Sequence, residues 1–280
     1  MRADHPMLLA RPDSLGGKQV NSLSGPSRAR IHNYLLGGRD NYASDREVAL
    51  QVTGEMPFLE NAVRHERMYV LLMVQALAIA GIRQLVDFGC GMPHSPNPVD
   101  VIARVHRDVR AVCIDNDVLV HAHTNALLKA SAPASFAHVC ADIRDPDAVL
   151  ASPEMATINW REPVILLFGG VLQHIDDTPD RPLPVLVNPY KEAAAFGSAL
   201  VVTHATADFD REPALNAAQA MTAAGCPHYP RTREQITSLF DAWQLVPPGL
   251  AEPQAMALQY PVPQQAASYA GMARKEAVHD

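Results

Sequence analysis

The sequence predicts an α/β protein with a doubly wound, mostly parallel β-sheet and helices on both faces. From residue 81 onward, short and continuously apolar runs alternate with longer amphipathic runs, a pattern typical of parallel strands covered by helices. The apolar run 84–88 leads into a turn bracketed by glycines and then into a predicted helix. This strand–turn–helix arrangement is how open α/β sheets hold nucleotide-like ligands at the carboxyl ends of their strands.

The order of apolar runs sets the predicted elements. Strands are expected at residues 84–88, 111–115, 137–141, 164–168 and 199–204, and helices between or after them at 98–107, 118–129, 184–196, 212–224 and 233–243. Pro189 interrupts the helix at 184–196 and predicts a kink or two shorter pieces. Residues 245–275 contain two more strand-like runs around a Pro/Gln-rich loop, which predicts a closing hairpin at the sheet edge.

The segment that precedes the first strand is predicted to be helical and to divide the chain in three. Residues 1–25 are polar, without periodicity, and are expected to form a mobile tail, followed by a helical cap or lid at 26–80 and the sheet domain at 81–280. Within the cap, paired glycines precede a dense polar cluster, in the order Gly37, Gly38, Arg39, Asp40, Asn41. This cluster predicts a ligand-contacting lid, with a tight turn between two helices as the alternative. Ser44 with Glu47 predicts a capping box, and residues 58–80 one long helix.

Length and composition exclude several functional classes. The chain has 280 residues, 48% of them hydrophobic, and a net charge of −7, which suits one large α/β domain or a domain with an appendage. It has no basic stripe with interleaved aromatic residues, so we expect no nucleic-acid partner. It has no apolar run of membrane-spanning length and no secretory signal, and its four cysteines are scattered. We therefore expect a cytoplasmic protein with no membrane partner and free thiols.

The histidines do not predict a metal site. The chain has 12 of them, but none pair at i,i+4 spacing, and no Cys/His cluster has the spacing of zinc ligands. His121 and His123 point to different sides of their predicted helix. We therefore expect no metal.

The glycine turn after the first strand suits a ligand without phosphates. A dinucleotide fold has a third glycine three residues after Gly91, where this chain has His94, and two prolines delay the following helix. Acidic residues end or follow three neighbouring strands, at Asp87, Asp115 and Asp142. Three carboxylates would repel a diphosphate but suit a ligand that carries an ammonium and a sulfonium. S-adenosylmethionine is the natural candidate, and an NAD-linked oxidoreductase is the less favoured alternative.

The same blocks carry a resemblance to a known family. The stretches DFGCGMPHSPNPVDVIARV, CIDNDVLVHAHTNALL and ADIRDPDAVL resemble the cofactor-binding blocks of class I methyltransferases. ARIHNYLLGGRDNYASDREVA, HERMYVLLMVQALAIAGIRQLVDFG, THATADF and YAGMARK resemble an actinobacterial family of S-adenosylmethionine-dependent methyltransferases of largely unassigned substrate. The likeness spans about residues 26–275, and LLGGRDN is its most distinctive part.

The resemblance implies a fold and a set of contacts. It implies a seven-stranded, Rossmann-like sheet with the last strand antiparallel, and an N-terminal helical segment folded over the cofactor. It further implies one group of residues for each part of the cofactor: Asp87, Gly89 and Gly91 at the methionine end, Asp115 and Asn116 at the ribose, and Asp142 with Ile143 at the adenine. Tyr34 and Arg39 are candidates for closing over the cofactor, and Arg67 for binding its carboxylate.

The chain departs from the family pattern at positions that bear on catalysis. The family turn is usually Gly-Thr-Gly followed by Leu-Pro-Thr, and after the fourth strand the family often has Leu-His, where this chain has Leu172, Gln173 and then His174. His174 and His204 follow strands on the ligand-binding edge, and either is a candidate general base if the acceptor must lose a proton, with a packed or capping histidine as the favoured alternative for each.

Three functions remain open at this point. The leading hypothesis is in-line methyl transfer to an unidentified small molecule. A protein that binds S-adenosylmethionine without transferring its methyl group is the second, and the oxidoreductase is the third. The sequence does not determine the oligomeric state, and a homodimer is one alternative.

Overall fold

The computed structural model describes residues 25–128, 135–257 and 266–276, so the tail predicted at 1–25 lies almost wholly outside the described residues. Its strands are β1 (Gln84–Phe88), β2 (Arg110–Asp115), β3 (Ser135–Cys140), β4 (Ile165–Gly169), β5 (Ala199–Ala205), β6 (Gln244–Leu245) and β7 (Ser268–Arg274). They form one seven-stranded sheet in the order β3-β2-β1-β4-β5-β7-β6. The first five strands are parallel, and β7 pairs antiparallel with both β5 and β6. The predicted fold class is confirmed.

Ten α-helices accompany the sheet in the described part of the chain. They are α1 (Arg28–Leu35), α2 (Ala43–Glu55), α3 (Leu59–Ile79), α4 (Pro98–Val105), α5 (Val118–Leu128), α6 (Pro146–Leu150), α7 (Leu183–Ala193), α8 (Arg211–Ala223), α9 (Arg233–Thr237) and α10 (Pro253–Ala257). Short 3₁₀ turns follow α6, β4 and α9, at Pro153–Thr157, Leu172–His174 and Ser238–Phe240. No helix in the described ranges is both long and apolar enough to cross a bilayer.

Both faces of the sheet are buried, because successive side chains of each strand point to opposite faces. On one face Val86, Phe88 and Ile114 join an apolar cluster that includes residues of α7, while on the other Leu85 and Ala111 pack with residues of α3 and α4. Phe88 and Phe168 stack across β1 and β4 with ring centroids 4.2 Å apart. This two-sided burial fixes the strand register, and with it the positions of the residues that end each strand.

The strand order reverses between β1 and β4. Both strands run parallel, yet the chain moves outward to β2 and β3 on one side and to β4 and β5 on the other. In open α/β sheets such a switch point opens a crevice at the carboxyl ends of the strands, and ligands bind there.

The helices that precede the sheet divide between two roles. Apolar residues of α1 and α2, such as Ile31 and Val48, pack with Ala217 and Met221 of α8, which fixes this pair at the carboxyl edge. In contrast, Val70 and Val74 of α3 belong to the core beneath the sheet.

Three local predictions were wrong. The capping box at Ser44 does not form, because the carboxylate of Asp45 instead accepts from the Tyr42 N–H (2.8 Å), and the helix starts two residues earlier. Pro189 lies inside one continuous helix, α7, so the alternative of two shorter pieces is wrong. The closing hairpin is reduced to β7 and a two-residue β6, with α10 where its first strand was expected to begin; residues 258–265 are outside the described ranges.

Candidate functional site

The glycine turn after β1 is fixed by the neighbouring strand. Gly89 and Gly91 both adopt positive φ angles, 69° and 65°, which favour glycine. The Gly89 N–H donates to the carbonyl of Ile114 in β2 at 2.7 Å. A Cβ at Gly89 would collide with Val171, whereas a Cβ at Gly91 would meet nothing within 4 Å. Gly89 thus lets the loops after β1 and β4 touch, and Gly91 faces open space that a ligand can approach.

Asp115 at the end of β2 holds this turn in place. One carboxylate oxygen accepts from the Gly91 N–H and the other from the Asp117 N–H, both at 2.9 Å. Burial raises the pKa of Asp115, and these two hydrogen bonds oppose the rise. Each oxygen keeps a second lone pair, so Asp115 can still accept from ribose hydroxyls. Asn116, the other residue expected at the ribose, is exposed next to it.

Asp87 and Arg67 lie on the methionine side of the crevice. Asp87 is only 7% exposed, and burial raises its pKa to about 7 even though the charge of Arg67 opposes the rise. Arg67, from α3, donates through Nη2 to the carbonyls of His94 (2.8 Å) and Pro96 (2.7 Å). Its Nε is buried without a partner. A buried donor without an acceptor is costly, and a ligand carboxylate would satisfy it.

The start of α4 is closed to a phosphate. The side chain of Asn97 accepts from the Asp100 N–H at 2.8 Å, and the Asp100 carboxylate accepts from the Asn97 N–H at 3.1 Å. This capping box uses the donors that a diphosphate would need and places a negative charge beside them. The structure therefore argues against a dinucleotide on this helix.

The two residues expected at the adenine lie after β3 but are already engaged. Both oxygens of Asp142 accept from Arg144, at 3.0 Å from Nε. Burial would raise the pKa of Asp142, but Arg144 outweighs it and lowers the pKa. Ile143 is buried in the core, and its carbonyl accepts from the Tyr190 hydroxyl at 2.9 Å. Any polar contact from Ile143 to a base would come from its backbone N–H.

Helix α1 bridges the crevice. The Ser27 hydroxyl donates to Asp117 after β2 at 2.8 Å, and Arg28 Nη1 donates to the His174 carbonyl after β4 at 3.3 Å. One turn further on, His32 keeps an exposed surface. The protein around its ring displaces water and, with the charge of Arg67, lowers the pKa of His32 to about 4. Arg28 and His32 were missed in the sequence, where only their i,i+4 spacing could have indicated a shared face.

Tyr34 and Arg39, the residues expected to close over the cofactor, are placed differently. Tyr34 packs partly against the apolar cluster between α1, α2 and α8, and Arg39 is exposed. No contact in the described ranges ties either side chain to the glycine turn.

The polar glycine block beside them forms the tight turn between α1 and α2. Asn33 Oδ1 accepts from the Asp40 N–H (3.0 Å) and from Asn41 (3.1 Å), and Gly38 leaves room for the Asn33 side chain. The side-chain amide of Asn33 is thus used within the turn itself.

His174 lies at the crevice with one ring nitrogen committed. Its Nδ1 is 2.9 Å from the Pro227 carbonyl oxygen, so Nδ1 carries the proton and Nε2 keeps its lone pair. Burial and the nearby His228 ring lower the pKa of His174 well below its usual value. His174 is therefore neutral near pH 7 and able to accept a proton or a hydrogen bond.

His204 is placed against a catalytic role. It is fully buried, its Nδ1 is 2.8 Å from the Ala205 carbonyl oxygen, and its Nε2 is 2.9 Å from Nη1 of the buried Arg231. Burial and the charge of Arg231 lower its pKa to about 3. With both nitrogens engaged, His204 has no lone pair for a substrate, and we do not propose it as a base.

A short Cys/His contact chain lies behind the glycine turn. Cys90 Sγ is 3.6 Å from Nε2 of His138, whose Nδ1 is 2.8 Å from Nδ1 of His121. Within the described ranges, no group of three or more His, Cys, Asp or Glu residues could hold a metal ion.

Fold and site together define the class of protein. It has an α/β sheet of the class I methyltransferase type, and the crevice at its switch point is lined by carboxylates and does not suit a phosphate. The model of the S-adenosyl methyltransferase family matches residues 17–276. The chain belongs to this family, whose cofactor is S-adenosylmethionine.

Solved structures support this assignment. A DUF574-family protein from Streptomyces avermitilis is 30% identical, with a TM-score of 0.83 over 90% of this chain and 98% of its own. A Thermobifida fusca protein provisionally assigned as a methyltransferase is 31% identical, with a TM-score of 0.83 over 91% of this chain and 97% of its own. An O-methyltransferase-family protein from Burkholderia thailandensis shares the fold alone, at 12% identity and a TM-score of 0.52 over 89% of this chain and 71% of its own. No curated protein matches the chain significantly.

Proposed function

We propose that this protein transfers the methyl group of S-adenosylmethionine to a small molecule by in-line displacement. The observation that carries the proposal is the buried carboxylate of Asp87 and the partly buried carboxylate of Asp115 around a glycine turn that leaves Gly91 open, in a chain of the S-adenosyl methyltransferase family. S-adenosylmethionine supplies a methyl group on a positively charged sulfur. Much of the acceleration then comes from holding the acceptor and this methyl group in line.

The side chains of the crevice fit the methionine and ribose parts of this cofactor. The unpartnered Nε of Arg67 suits the cofactor carboxylate. Asp87 suits the ammonium of the same amino acid end, because the charge of Arg67 acts on the pKa of Asp87 and the two groups therefore serve one part of the crevice. Asp115 suits the ribose hydroxyls. In this proposal Arg28 and His32 of α1 cover the bound cofactor and exclude water, and His174 offers its Nε2 to the acceptor side.

Calorimetric titration tests cofactor choice. We expect S-adenosylmethionine and S-adenosylhomocysteine to bind and NAD not to bind, since the start of α4 is closed by Asn97 and Asp100. Tight NAD binding without binding of the adenosyl compounds would overturn the proposal. Asp87→Asn is the matched variant, and we expect it to weaken both adenosyl compounds.

A second experiment separates transfer from binding alone. The protein is incubated with S-adenosylmethionine carrying a labelled methyl group and with small-molecule extract of the producing cell. Label in an extractable small molecule supports the proposal. Cofactor binding without any transfer would instead favour a regulatory protein, the alternative raised by Gln173 and His174 in place of the family's Leu-His pair.

A further inference from the structure

The half of the crevice on the β4 and β5 side contains a carboxyl group that the proposed cofactor contacts do not use. Asp87 lies near the end of β1, Asp115 ends β2 and Asp142 follows β3, so the cofactor is assigned to that half. The acceptor must then enter over the ends of β4, β5 and β7. Glu66 of α3 reaches this half, although it precedes Arg67 directly in the chain.

Contacts at the strand ends fix the position of Glu66. Its Oε1 accepts from the hydroxyl of Thr203, near the end of β5, at 2.5 Å, and the Ser268 hydroxyl at the start of β7 is near enough to act on the pKa of the carboxyl group. An ideal Cβ on Gly170, directly after β4, would lie 2.9 Å from the same oxygen. The carboxyl group therefore lies across the ends of three strands.

A short series of contacts connects Glu66 to the cofactor half. Gly170, which Glu66 contacts, is followed by Val171, and Val171 occupies the space where a side chain on Gly89 would be. Gly89 begins the cofactor turn, so Glu66 is separated from this turn only by the loop after β4. The methyl group would point across this same junction, since β1 and β4 flank the switch point.

The surroundings of Glu66 differ from those of the cofactor carboxylates. Burial raises the pKa of Glu66 and the Thr203 and Ser268 hydroxyls oppose the rise, whereas the pKa of Asp87 responds to Arg67 and Asp115. Thr203 and Ser268 are both buried, but Glu66 itself remains partly accessible. A carboxyl with a raised pKa and one accessible side is suited to proton transfer near neutral pH.

We propose that Glu66 is the general base of this protein: its carboxylate binds a hydroxyl or amine acceptor and takes the proton that this group loses. This inference rests on the proposed methyl transfer. The acceptor oxygen or nitrogen forms a bond to the methyl carbon, and the carbon–sulfur bond breaks with its electron pair left on sulfur. The acceptor proton moves to the Glu66 carboxylate and later to solvent, so no other co-reactant is needed.

The test does not require a known acceptor, because in sinefungin a carbon replaces the sulfur of the cofactor and an amine on this carbon takes the place of the methyl group. S-adenosylhomocysteine keeps the sulfur but has neither the methyl group nor an amine on it. A base beside the methyl group would make a charge-assisted hydrogen bond to the sinefungin amine but nothing new to S-adenosylhomocysteine. Calorimetry of both compounds with wild type and Glu66→Gln therefore reports on the position of the carboxyl group itself.

We expect Glu66→Gln to weaken sinefungin about 10-fold or more and to leave S-adenosylhomocysteine within about 2-fold, since about 1.4 kcal/mol corresponds to tenfold in affinity. Glu66→Asp keeps the carboxyl group and should recover part of the sinefungin affinity. The control is Glu60→Gln on the same helix, because Glu60 is solvent-exposed and pairs with Arg64. It should change neither affinity.

The outcomes separate a base from a structural residue. If Glu66 only ties α3 to β5 and β7, Glu66→Gln will weaken both compounds alike or neither, and the inference is overturned. If Glu66→Gln fails to fold, Thr203→Val takes its place, and an equal change in both affinities would again count against the base. If wild type binds neither compound, the proposed function itself fails, which is a different result from equal binding by wild type and variant.

Discussion

Asp87 makes the stability of the ligand-free protein depend on pH in a direction opposite to that of most carboxylates. Burial raises its pKa from 3.8 to about 7 in the folded protein. Between these two values the unfolded chain releases a proton that the folded protein retains. The contribution of protonated Asp87 to the free energy of unfolding is therefore complete below about pH 4 and is lost as the pH rises through about 7.

The magnitude follows from the shift. At about 1.4 kcal/mol per pKa unit, a rise from 3.8 to about 7 corresponds to about 4 kcal/mol of lost stability above pH 7. Since Asp87 is only 7% exposed, solvent screens little of this. Asp87→Asn removes the charge and keeps the size, so we expect it to stabilise the ligand-free protein by about 2–4 kcal/mol at pH 8 but by only about 1 kcal/mol at pH 4.5.

Urea unfolding of wild type and variant at the two pH values measures this difference. The difference in free energy of unfolding between the two proteins cancels the pH dependence that comes from all other ionisable groups, since both proteins contain them. Asp210→Asn is the control, because Asp210 is exposed and its side chain caps no backbone N–H of α8. An Asp87→Asn difference that is equal at pH 4.5 and pH 8, or a destabilisation at pH 8, would refute the reasoning.

Three further predictions concern the site. Arg67→Ala should weaken S-adenosylhomocysteine by about 10- to 100-fold in calorimetry, through loss of a charge-assisted hydrogen bond, whereas the exposed Arg64→Ala on the same helix should not. His204→Ala should lower the free energy of unfolding by about 3 kcal/mol in urea, because it leaves a buried guanidinium without its partner, while the affinity for S-adenosylhomocysteine changes little. Gly89→Ala should lower the free energy of unfolding by about 3 kcal/mol, because the new Cβ collides with Val171. Gly91→Ala should lower it by only about 1 kcal/mol but should block binding of S-adenosylhomocysteine. Comparable destabilisation by both variants would count against an open space at Gly91.

The sequence predicted the elements whose pattern is local. The strand at 84–88 is observed at the same residues, because a short, mainly apolar run between a glycine and a turn has few other solutions. The glycine turn and the carboxylates that end its neighbouring strands follow from the same pattern. In the folded protein the charge of Arg67 acts on the pKa of Asp87.

What the sequence could not reveal depends on contacts between distant residues. Glu66 and Thr203 are 137 positions apart, and the 2.5 Å hydrogen bond between them has no local signal. The same holds for His204, whose expected place at the end of a strand made it a candidate site residue. Its contact with the distant Arg231 shows that its lone pair is already used. The first strand of the closing hairpin was wrong because an alanine-rich run suits a helix as well as a strand.

The insertion of β7 beside β5 has a consequence for folding. Strand β5 is almost entirely apolar, and its outer edge is covered only by a partner that lies roughly 60 to 75 residues further along the chain. Until β7 pairs with it, the edge of β5 exposes unpaired backbone N–H and C=O groups next to apolar side chains, and another molecule can pair with this edge. We expect chains cut before residue 266 to self-associate through this edge, whereas intact chains are protected by their own late-arriving strand.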